Sequence, residues 1–287
     1  MPAETIRAGK YTFSVDENKL VYADRIISHT FKIGGSYNDC ISISYTYNNN
    51  IPVSAKINFV QYEPECAIEN NLEKGGGTAI MLKSILRHVY KKIPQVTAFT
   101  FEDMSHIDCV EKDLTKQPPR KPQRPLSLAY LSIAYNSSTW YEKYFDAEMT
   151  DATKYEEYRT AVKFLTNPKD KIDFISFLQV AKPPEGQIEY LKGLYEKVST
   201  YRAFFEAIPF DDRCELLRPW LKTFIESSLG NKYSPYNWKI NVLSPKIQNS
   251  MMGGAKRRRG GGTVKRKNRE NFPPTYGIIM YNEIHSM

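Results

Sequence analysis

The sequence predicts an α+β protein in which a strand-rich half precedes a helical half. Apolar and polar residues alternate at several places between residues 10 and 62, which is typical of half-buried strands. From about residue 151 onward, apolar residues recur at three- and four-residue spacing, which is typical of helices. We therefore expect an α+β domain over residues 1–150, a helical subdomain over residues 151–230 and a flexible basic C-terminal arm over residues 231–287.

A β-hairpin is predicted near the start of the first half. Residues 11–15 and 40–47 alternate between apolar and polar side chains. Three asparagines at residues 48–50 then supply turn-forming side chains, and residues 51–62 return as a second strand. Residues 40–62 are therefore interpreted as two antiparallel strands joined by a tight turn.

Helical periodicity begins directly after a glycine-rich stretch. Residues 78–92 carry apolar side chains at helical spacing, and Pro94 ends the pattern. A short strand is predicted at 96–101 and another over the apolar run 126–135, followed by a short helix at 140–145 with polar N-capping candidates before it.

The second half reads as consecutive helices separated by prolines. Apolar residues at helical spacing give these helices apolar faces that can pack against one another. The predicted helices cover residues 152–166, 170–181, 185–207 and 211–229.

The basic excess of the chain lies in one short segment. Lysine and arginine together number 40, against 32 aspartates and glutamates. Eight of these cations fall within residues 256–269, which contain no acid, and setting them aside leaves 32 cations against 32 acids. They are Lys256, Arg257, Arg258, Arg259, Lys265, Arg266, Lys267 and Arg269. A neutral body argues against a basic nucleic-acid-binding face spread over the fold.

Three interpretations of residues 256–269 remain open. The segment can contact nucleic-acid phosphates or a partner protein, act as a nuclear localisation signal, or be a solvated arm. Tyrosine and phenylalanine are absent between residues 254 and 271, so base stacking is not available there. Binding to nucleic acid would therefore be electrostatic and independent of sequence.

Cysteine and hydropathy patterns exclude several classes of protein. Cys40, Cys66, Cys109 and Cys214 are far apart and form no Cys-x-x-Cys motif, so we expect no zinc ribbon, no other metal site and reduced thiols in the cytoplasm or nucleus. The sequence contains no run of about 18 apolar residues, so we expect no transmembrane helix. We also expect no signal peptide. Residues 102–109 have two interpretations. His106 and a nearby cysteine form a catalytic pair, or, more simply, the segment is a turn capped by Asp103 or Ser105.

The main candidate for chemistry is the glycine loop that precedes the helix at 78–92. A glycine loop that opens a helix exposes backbone N–H groups and the positive end of the helix dipole, where a pyrophosphate fits. A P-loop would need Lys-Ser/Thr after the glycines, and a Rossmann loop would need glycine where Ile80 stands, so neither pattern matches. A flexible turn is the simpler alternative. The candidate cofactor-binding residues are Lys74, Gly75, Gly76, Gly77, Thr78 and Ala79.

The loop resembles the acetyl-CoA loop of the GNAT superfamily of N-acetyltransferases. That loop reads Gln/Arg-x-x-Gly-x-Gly/Ala; Gly75–Gly77 match its glycines, whereas Leu72 stands at its Gln/Arg position. The phrase TWYEKYFDA is similar to the family's short helix with a catalytic tyrosine, although the family's Gly-Phe is missing. The resemblance covers about residues 10–150. It implies a mixed central sheet with flanking helices, acetyl-CoA as cofactor, and Tyr141 as the acid that protonates the leaving thiolate.

The resemblance also implies a reaction and a source. An amine would attack the thioester directly, a backbone N–H from a splayed strand near residues 57–62 would stabilise the oxyanion, and Glu65 or Glu63 would accept the amine proton, directly or through water. A solvated loop is the alternative interpretation of these glutamates. The phrases GGGTAIMLKSILRHVYKKIPQV, FEDMSHIDC and STWYEKYFDAEM resemble GNAT-like proteins of large nucleocytoplasmic DNA viruses.

Two functions follow from that resemblance. The first is an acyl-CoA-dependent N-acyltransferase, with an acceptor that the sequence does not name, in the host cytoplasm or nucleus. The second is a structural protein on a catalytically degenerate GNAT scaffold, such as a minor capsid or virion assembly component, whose arm contacts neighbouring virion proteins or nucleic acid. Leu72 and the missing Gly-Phe favour the second function.

Overall fold

An open, mixed eight-stranded sheet forms the centre of the protein. The computed structural model describes residues 4–36, 38–107, 109, 125–168 and 173–249. Within these residues the strand order of the large sheet is β1-β2-β3-β4-β5-β6-β10-β9, and β7 and β8 form a separate pair. The strands are β1 (Glu4–Ala8), β2 (Tyr11–Tyr22), β3 (Arg25–Gly34), β4 (Asp39–Asn48), β5 (Ile51–Val60), β6 (Ala98–Phe101), β7 (His106–Ile107), β8 (Leu126–Ser127), β9 (Glu148–Met149) and β10 (Trp238–Asn241).

The first five strands form an antiparallel meander. The strands predicted at 11–15 and 40–47 lie within β2 and β4, and the predicted hairpin over 40–62 is confirmed as β4 and β5. Asn49 and Asn50 both have positive φ, of 48° and 63°, as two-residue hairpin turns require. Strand β3 lies within residues 10–62, the region predicted to form strands, and buried and more exposed side chains alternate in its second half. Strand β1 precedes that region and was not predicted.

Ten α-helices are present in the described part of the chain, besides short 3-10 turns. They are α1 (Gly76–Lys92), α2 (Leu128–Asn136), α3 (Trp140–Phe145), α4 (Ala152–Ala161), α5 (Phe174–Ala181), α6 (Ile188–Tyr195), α7 (Tyr201–Ala207), α8 (Arg213–Leu217), α9 (Leu221–Ser228) and α10 (Pro245–Gln248).

The helix predicted after the glycine loop is α1, and it links β5 to β6 as a parallel pair. The short helix predicted at 140–145 is α3, and the Thr139 side chain caps it by accepting a hydrogen bond from the backbone N–H of Glu142. The prediction for 126–135 is wrong, because most of this run is α2. Its apolar side chains are buried on several sides, so the run has no clear period that separates strand from helix.

The predicted helix over residues 185–207 is divided in two. Helix α6 ends at Tyr195, and α7 begins at Tyr201 after Thr200, whose side chain accepts a hydrogen bond from the backbone N–H of Ala203. The apolar period continues across this break, because both helices bury their apolar side chains in the same aromatic cluster. That cluster contains Phe177, Tyr195, Tyr201, Phe204, Trp220 and Phe224.

The buried side chains of the sheet and of the helical half form one continuous core. The core therefore continues across residue 150, and a domain boundary there stays a prediction. None of the described helices is long and apolar enough to cross a membrane.

The chain returns to the sheet after the helical half. Strand β10 lies between β6 and β9, with Trp238 opposite Phe101 on one side and Met149 on the other. Part of the segment predicted as a flexible arm from residue 231 is therefore folded, as far as residue 249. Apolar and polar residues alternate in β10, but four residues are too few to identify a strand from the sequence, and its partners decide its place. The eight clustered cations lie outside the described residues.

The prediction of reduced thiols is wrong, because the four cysteines are paired. Cys40 in β4 is bonded to Cys66, with Cα atoms 5.8 Å apart, and Cys109 is bonded to Cys214 in α8, with Cα atoms 5.5 Å apart. The pairs are 26 and 105 residues apart in sequence, so no local motif indicated them. The alternative of a His106 pair with a free cysteine is therefore excluded for the oxidised protein, since no cysteine has a free thiol.

Candidate functional site

The glycine loop presents open backbone at the beginning of α1. Gly75 precedes the helix with φ of 68°, a conformation that glycine adopts without strain. A Cβ added at Gly75 or Gly76 would meet no atom within 4 Å. The backbone carbonyl of Gly75 accepts a hydrogen bond from the N–H of Ala79 at 3.0 Å, so the loop passes directly into the helix. This edge can approach a bound anion closely.

The other side of the loop is closed by Leu72. Its side chain is 2% exposed, and a Cβ added at Gly77 would lie 3.1 Å from its Cδ1 atom. The Tyr62 hydroxyl donates a hydrogen bond to the Leu72 carbonyl at 3.2 Å. Leu72 therefore fixes the loop by packing, which explains how an apolar residue is accommodated at the position where the GNAT pattern has Gln or Arg.

The predicted cofactor-binding residues divide by exposure. Gly76 is exposed and Lys74 and Gly75 are half-buried, whereas Gly77, Thr78 and Ala79 are buried. The Thr78 hydroxyl is buried and has no hydrogen-bond partner among the described residues. Residues 74–76 are therefore the part of the loop that a ligand can contact.

Lys74 lies beside Tyr62, close to the end of β5. Its Nζ atom is 5.1 Å from the centroid of the Tyr62 ring, within the range of a cation–π interaction. Burial lowers the pKa of Lys74 to about 8, while the charge of Glu63 acts in the opposite direction. An ammonium group in this setting is poorly hydrated and is suited to binding an anion.

The parallel ladder between β5 and β6 is short. It consists of the pairs Ala55↔Phe99 and Lys56↔Thr100, whereas β5 continues to Val60 with β4 on its other side. The end of β5 therefore extends beyond its pairing with β6. The segment predicted to be splayed, near residues 57–62, begins directly after this ladder.

The two predicted catalytic residues lie in different environments. Tyr141 is 1% exposed, and its ring centroid lies 4.4 Å from that of Phe101, so it belongs to the core. Burial raises the pKa of Tyr141 well above its usual value. Glu65 is exposed on the turn Pro64–Cys66, whereas Glu63 is half-buried and its charge acts on Lys74. Of the two glutamates, Glu63 is therefore the one whose charge acts on the loop. The positions of Glu63 and Glu65 in the sequence did not show which of them would do so.

The fold and the loop define an α+β protein with a mixed open sheet and a candidate anion-binding loop between its two parallel strands. Comparisons with protein-family models, with curated proteins and with solved structures each find no match. Within the described residues, no group of three or more histidine, cysteine, aspartate or glutamate side chains could hold a metal ion.

Proposed function

We propose that this protein is a GNAT-like acyltransferase that binds acyl-CoA at residues 74–76 and transfers the acyl group to an amine. The observation that carries the proposal is the parallel β5–β6 pair, joined through the glycine loop and α1, with a ladder only two residue pairs long. The order of strand, glycine loop, helix, parallel strand and short helix is the order that the resemblance implies. The open backbone at Gly75 and Gly76 is compatible with a pyrophosphate.

Bound acyl-CoA would supply the thioester for this reaction: the amide C–N bond forms as the C–S bond breaks, and CoA leaves as a thiolate that takes its proton from solvent, because Tyr141 is buried. The N–H groups at the beginning of α1 and the Lys74 ammonium would hold its phosphates, and the Gly76 N–H would exchange its hydrogen bond to the Lys74 carbonyl for one to a phosphate. Glu63 is better situated than Glu65 to accept a proton from the acceptor amine, directly or through water, because it is half-buried and electrostatically coupled to Lys74. The backbone of β5 beyond Lys56 would offer an N–H to the oxyanion.

Calorimetric titration of acetyl-CoA into the full chain tests this proposal. We expect micromolar binding that weakens by about tenfold or more in Gly76→Glu, because the new carboxylate occupies the open side of the loop and repels phosphate. Gly186→Glu is the matched control, since Gly186 is exposed in the helical half and has open space around it. Absence of binding, or equal binding by Gly76→Glu, would contradict the proposal.

A structural protein on a degenerate GNAT scaffold is the second candidate. It is favoured by the burial of Tyr141 and by Leu72, which closes one side of the loop. On this alternative, the protein should co-purify with intact virus particles and be detected in them by mass spectrometry. Its absence from washed particles, together with acetyl-CoA binding, would leave the enzyme as the better explanation.

Contact of residues 256–269 with nucleic acid stays a prediction, because the segment lies outside the described residues. Deleting the segment should remove any salt-sensitive DNA binding. Unchanged binding after the deletion would refute a role for these cations.

A further inference from the structure

A groove of about 680 Å³ lies between the edge strand β1 and α1. Its size is in the range of small-molecule sites. Ile6, Ile80 and Tyr144 contribute an apolar or aromatic lining, and no acidic residue is among the described residues that line it. The basic side chains of the groove are Arg7, Lys83, Arg87, His88 and Lys91.

Arg87 has a buried donor without an acceptor. Its Nε atom donates a hydrogen bond to the Lys83 carbonyl at 3.2 Å, but its Nη1 atom is buried and has no partner among the described residues. Burial also lowers the pKa of the guanidinium. A buried charged donor without an acceptor is costly, so a turn of the guanidinium that brings Nη1 to an acceptor in the groove lined by Arg87 would be favourable.

His88 presents a second buried nitrogen in the groove. Its Nε2 atom has no hydrogen-bond partner in the described residues, and the nearest carboxylate oxygen, on Glu4, is 3.6 Å away. Another oxygen of that glutamate pairs at 2.6 Å with Lys92, which also pairs with Glu17 at 2.7 Å. Burial lowers the pKa of His88, so the ring is neutral near pH 7 and can donate or accept one hydrogen bond.

The acid nearest to Lys83 is also committed elsewhere. Burial and the neighbouring Arg87 lower the pKa of Lys83, and the charge of Asp146 only partly opposes this effect. The carboxylate of Asp146 is paired with Lys246 at 2.6 Å. Lys83 and Arg87 therefore form no ion pair with an acid among the described residues.

We propose that this groove binds a phosphorylated small molecule. The phosphoryl group would accept hydrogen bonds from Arg87 and Lys83, because a guanidinium fork matches phosphate oxygens. The body of the ligand would pack against Ile6, Ile80 and Tyr144. Gly76 and Ala79 line one end of the same groove. Arg87 lies eleven residues after Gly76, or about 16 Å along the helix, so the phosphoryl site and the glycine loop are at opposite ends of the groove, and Gly76→Glu should weaken ADP binding less than Arg87→Gln does.

Calorimetric titration of the full chain with ADP and with inorganic pyrophosphate tests the proposal. We expect saturable ADP binding that weakens by about tenfold or more in Arg87→Gln and in Lys83→Gln. Arg202→Gln removes the same charge from an exposed pair with Glu206 in the helical half and should leave ADP binding unchanged. Pyrophosphate should bind more weakly than ADP, because it cannot use the apolar lining.

Several outcomes would overturn the proposal. They are absence of ADP binding by the unmutated chain, equal ADP binding by the groove variants, and equal affinity for pyrophosphate and ADP. A further outcome is that ADP does not bind at all, whereas a single-stranded oligonucleotide binds the unmutated chain and binds Arg87→Gln more weakly. The groove would then be a site for a nucleic-acid backbone and not for a small molecule. Circular dichroism checks folding, and Lys83→Gln decides the matter if Arg87→Gln does not fold.

Discussion

At the scale of single residues, Glu142 joins α3 to α4. Its carboxylate is 6% exposed and accepts hydrogen bonds from the Thr139 N–H at 2.7 Å and the Tyr158 hydroxyl at 2.9 Å. The Tyr155 hydroxyl and an Nη1 donor of Arg159 are both 3.2 Å away. A buried carboxylate with these four donors is fully satisfied, so its neighbours depend on it.

Replacement of Glu142 by alanine should strongly destabilise the protein. The Tyr158 hydroxyl and the Thr139 N–H would remain buried without an acceptor, which costs about 3–5 kcal/mol of unfolding free energy. Urea unfolding measures the change, and Glu156→Ala on the exposed side of α4 is the control. A loss within about 0.5 kcal/mol, as for an ordinary surface substitution, would contradict this account.

Asp103 is a buried carboxyl that opposes folding at neutral pH. It is 3% exposed, and the Ser105 hydroxyl donates a hydrogen bond to it at 2.5 Å. Burial raises the pKa of Asp103 to about 6, and the Ser105 hydrogen bonds only partly offset this effect. Between pH 4 and 6 the folded protein binds this proton more tightly than the unfolded chain, so the contribution of Asp103 to stability falls as pH rises through that window.

Asp103→Asn should remove this pH dependence. Relative to the unmutated protein, the variant should gain about 3 kcal/mol of unfolding free energy as pH rises from 4 to 7. Urea unfolding at both pH values measures the difference, and Asp211→Asn, at an exposed site, is the control. If the difference in unfolding free energy between Asp103→Asn and the unmutated protein does not grow with pH, the Asp103 carboxyl has an ordinary pKa.

At the scale of elements, the turn after β3 packs against the turn after β5. A Cβ added at Gly35 would lie 1.7 Å from the backbone carbonyl oxygen of Glu65. This close approach brings the turns together beside the Cys40–Cys66 disulfide. Only glycine fits, because the clashing atom belongs to the backbone and cannot rotate away.

Gly35→Ala should therefore separate the two turns. We expect a loss of about 1–3 kcal/mol of unfolding free energy from overpacking. Gly186→Ala is the matched control, because a Cβ there meets nothing within 4 Å. Equal thermal midpoints for the two variants would show that the backbone contact is loose.

Local patterns predicted some elements well because their signals are local. The spacing of apolar residues indicated α1, and the Thr139 cap indicated the beginning of α3, since both depend on residues within one or two turns. The interpretation of 126–135 failed because α2 is apolar on most sides. The glycine loop was predicted correctly at the beginning of a helix, but its open and closed sides depend on Leu72, which packs from outside the helix.

At the scale of the whole molecule, the Cys109–Cys214 disulfide ties the segment after β7 to the helical half. The loop that it closes spans 105 residues, against 26 for Cys40–Cys66. A longer loop loses more entropy when it is closed, so it should stabilise the folded chain more.

Replacement of Cys109 and Cys214 by alanine should cost about 2–5 kcal/mol of unfolding free energy. The loss should exceed that of the Cys40→Ala/Cys66→Ala pair by about 1 kcal/mol on the loop-entropy relation. Denaturant unfolding without reductant measures both. Alkylation of the unfolded, unreduced protein should label no cysteine, and labelled thiols would show that the bonds do not form.

The hairpin, α1, α3 and the glycine loop could be predicted from local sequence, because these depend on neighbours a few residues away. The folded structure was needed to establish that Tyr141 is buried, that the charge of Glu63 acts on Lys74, and that the four cysteines are paired. It also decided that the chain returns to the sheet as β10. Each of these depends on contacts between residues far apart in sequence, and local spacing carries no information about such contacts.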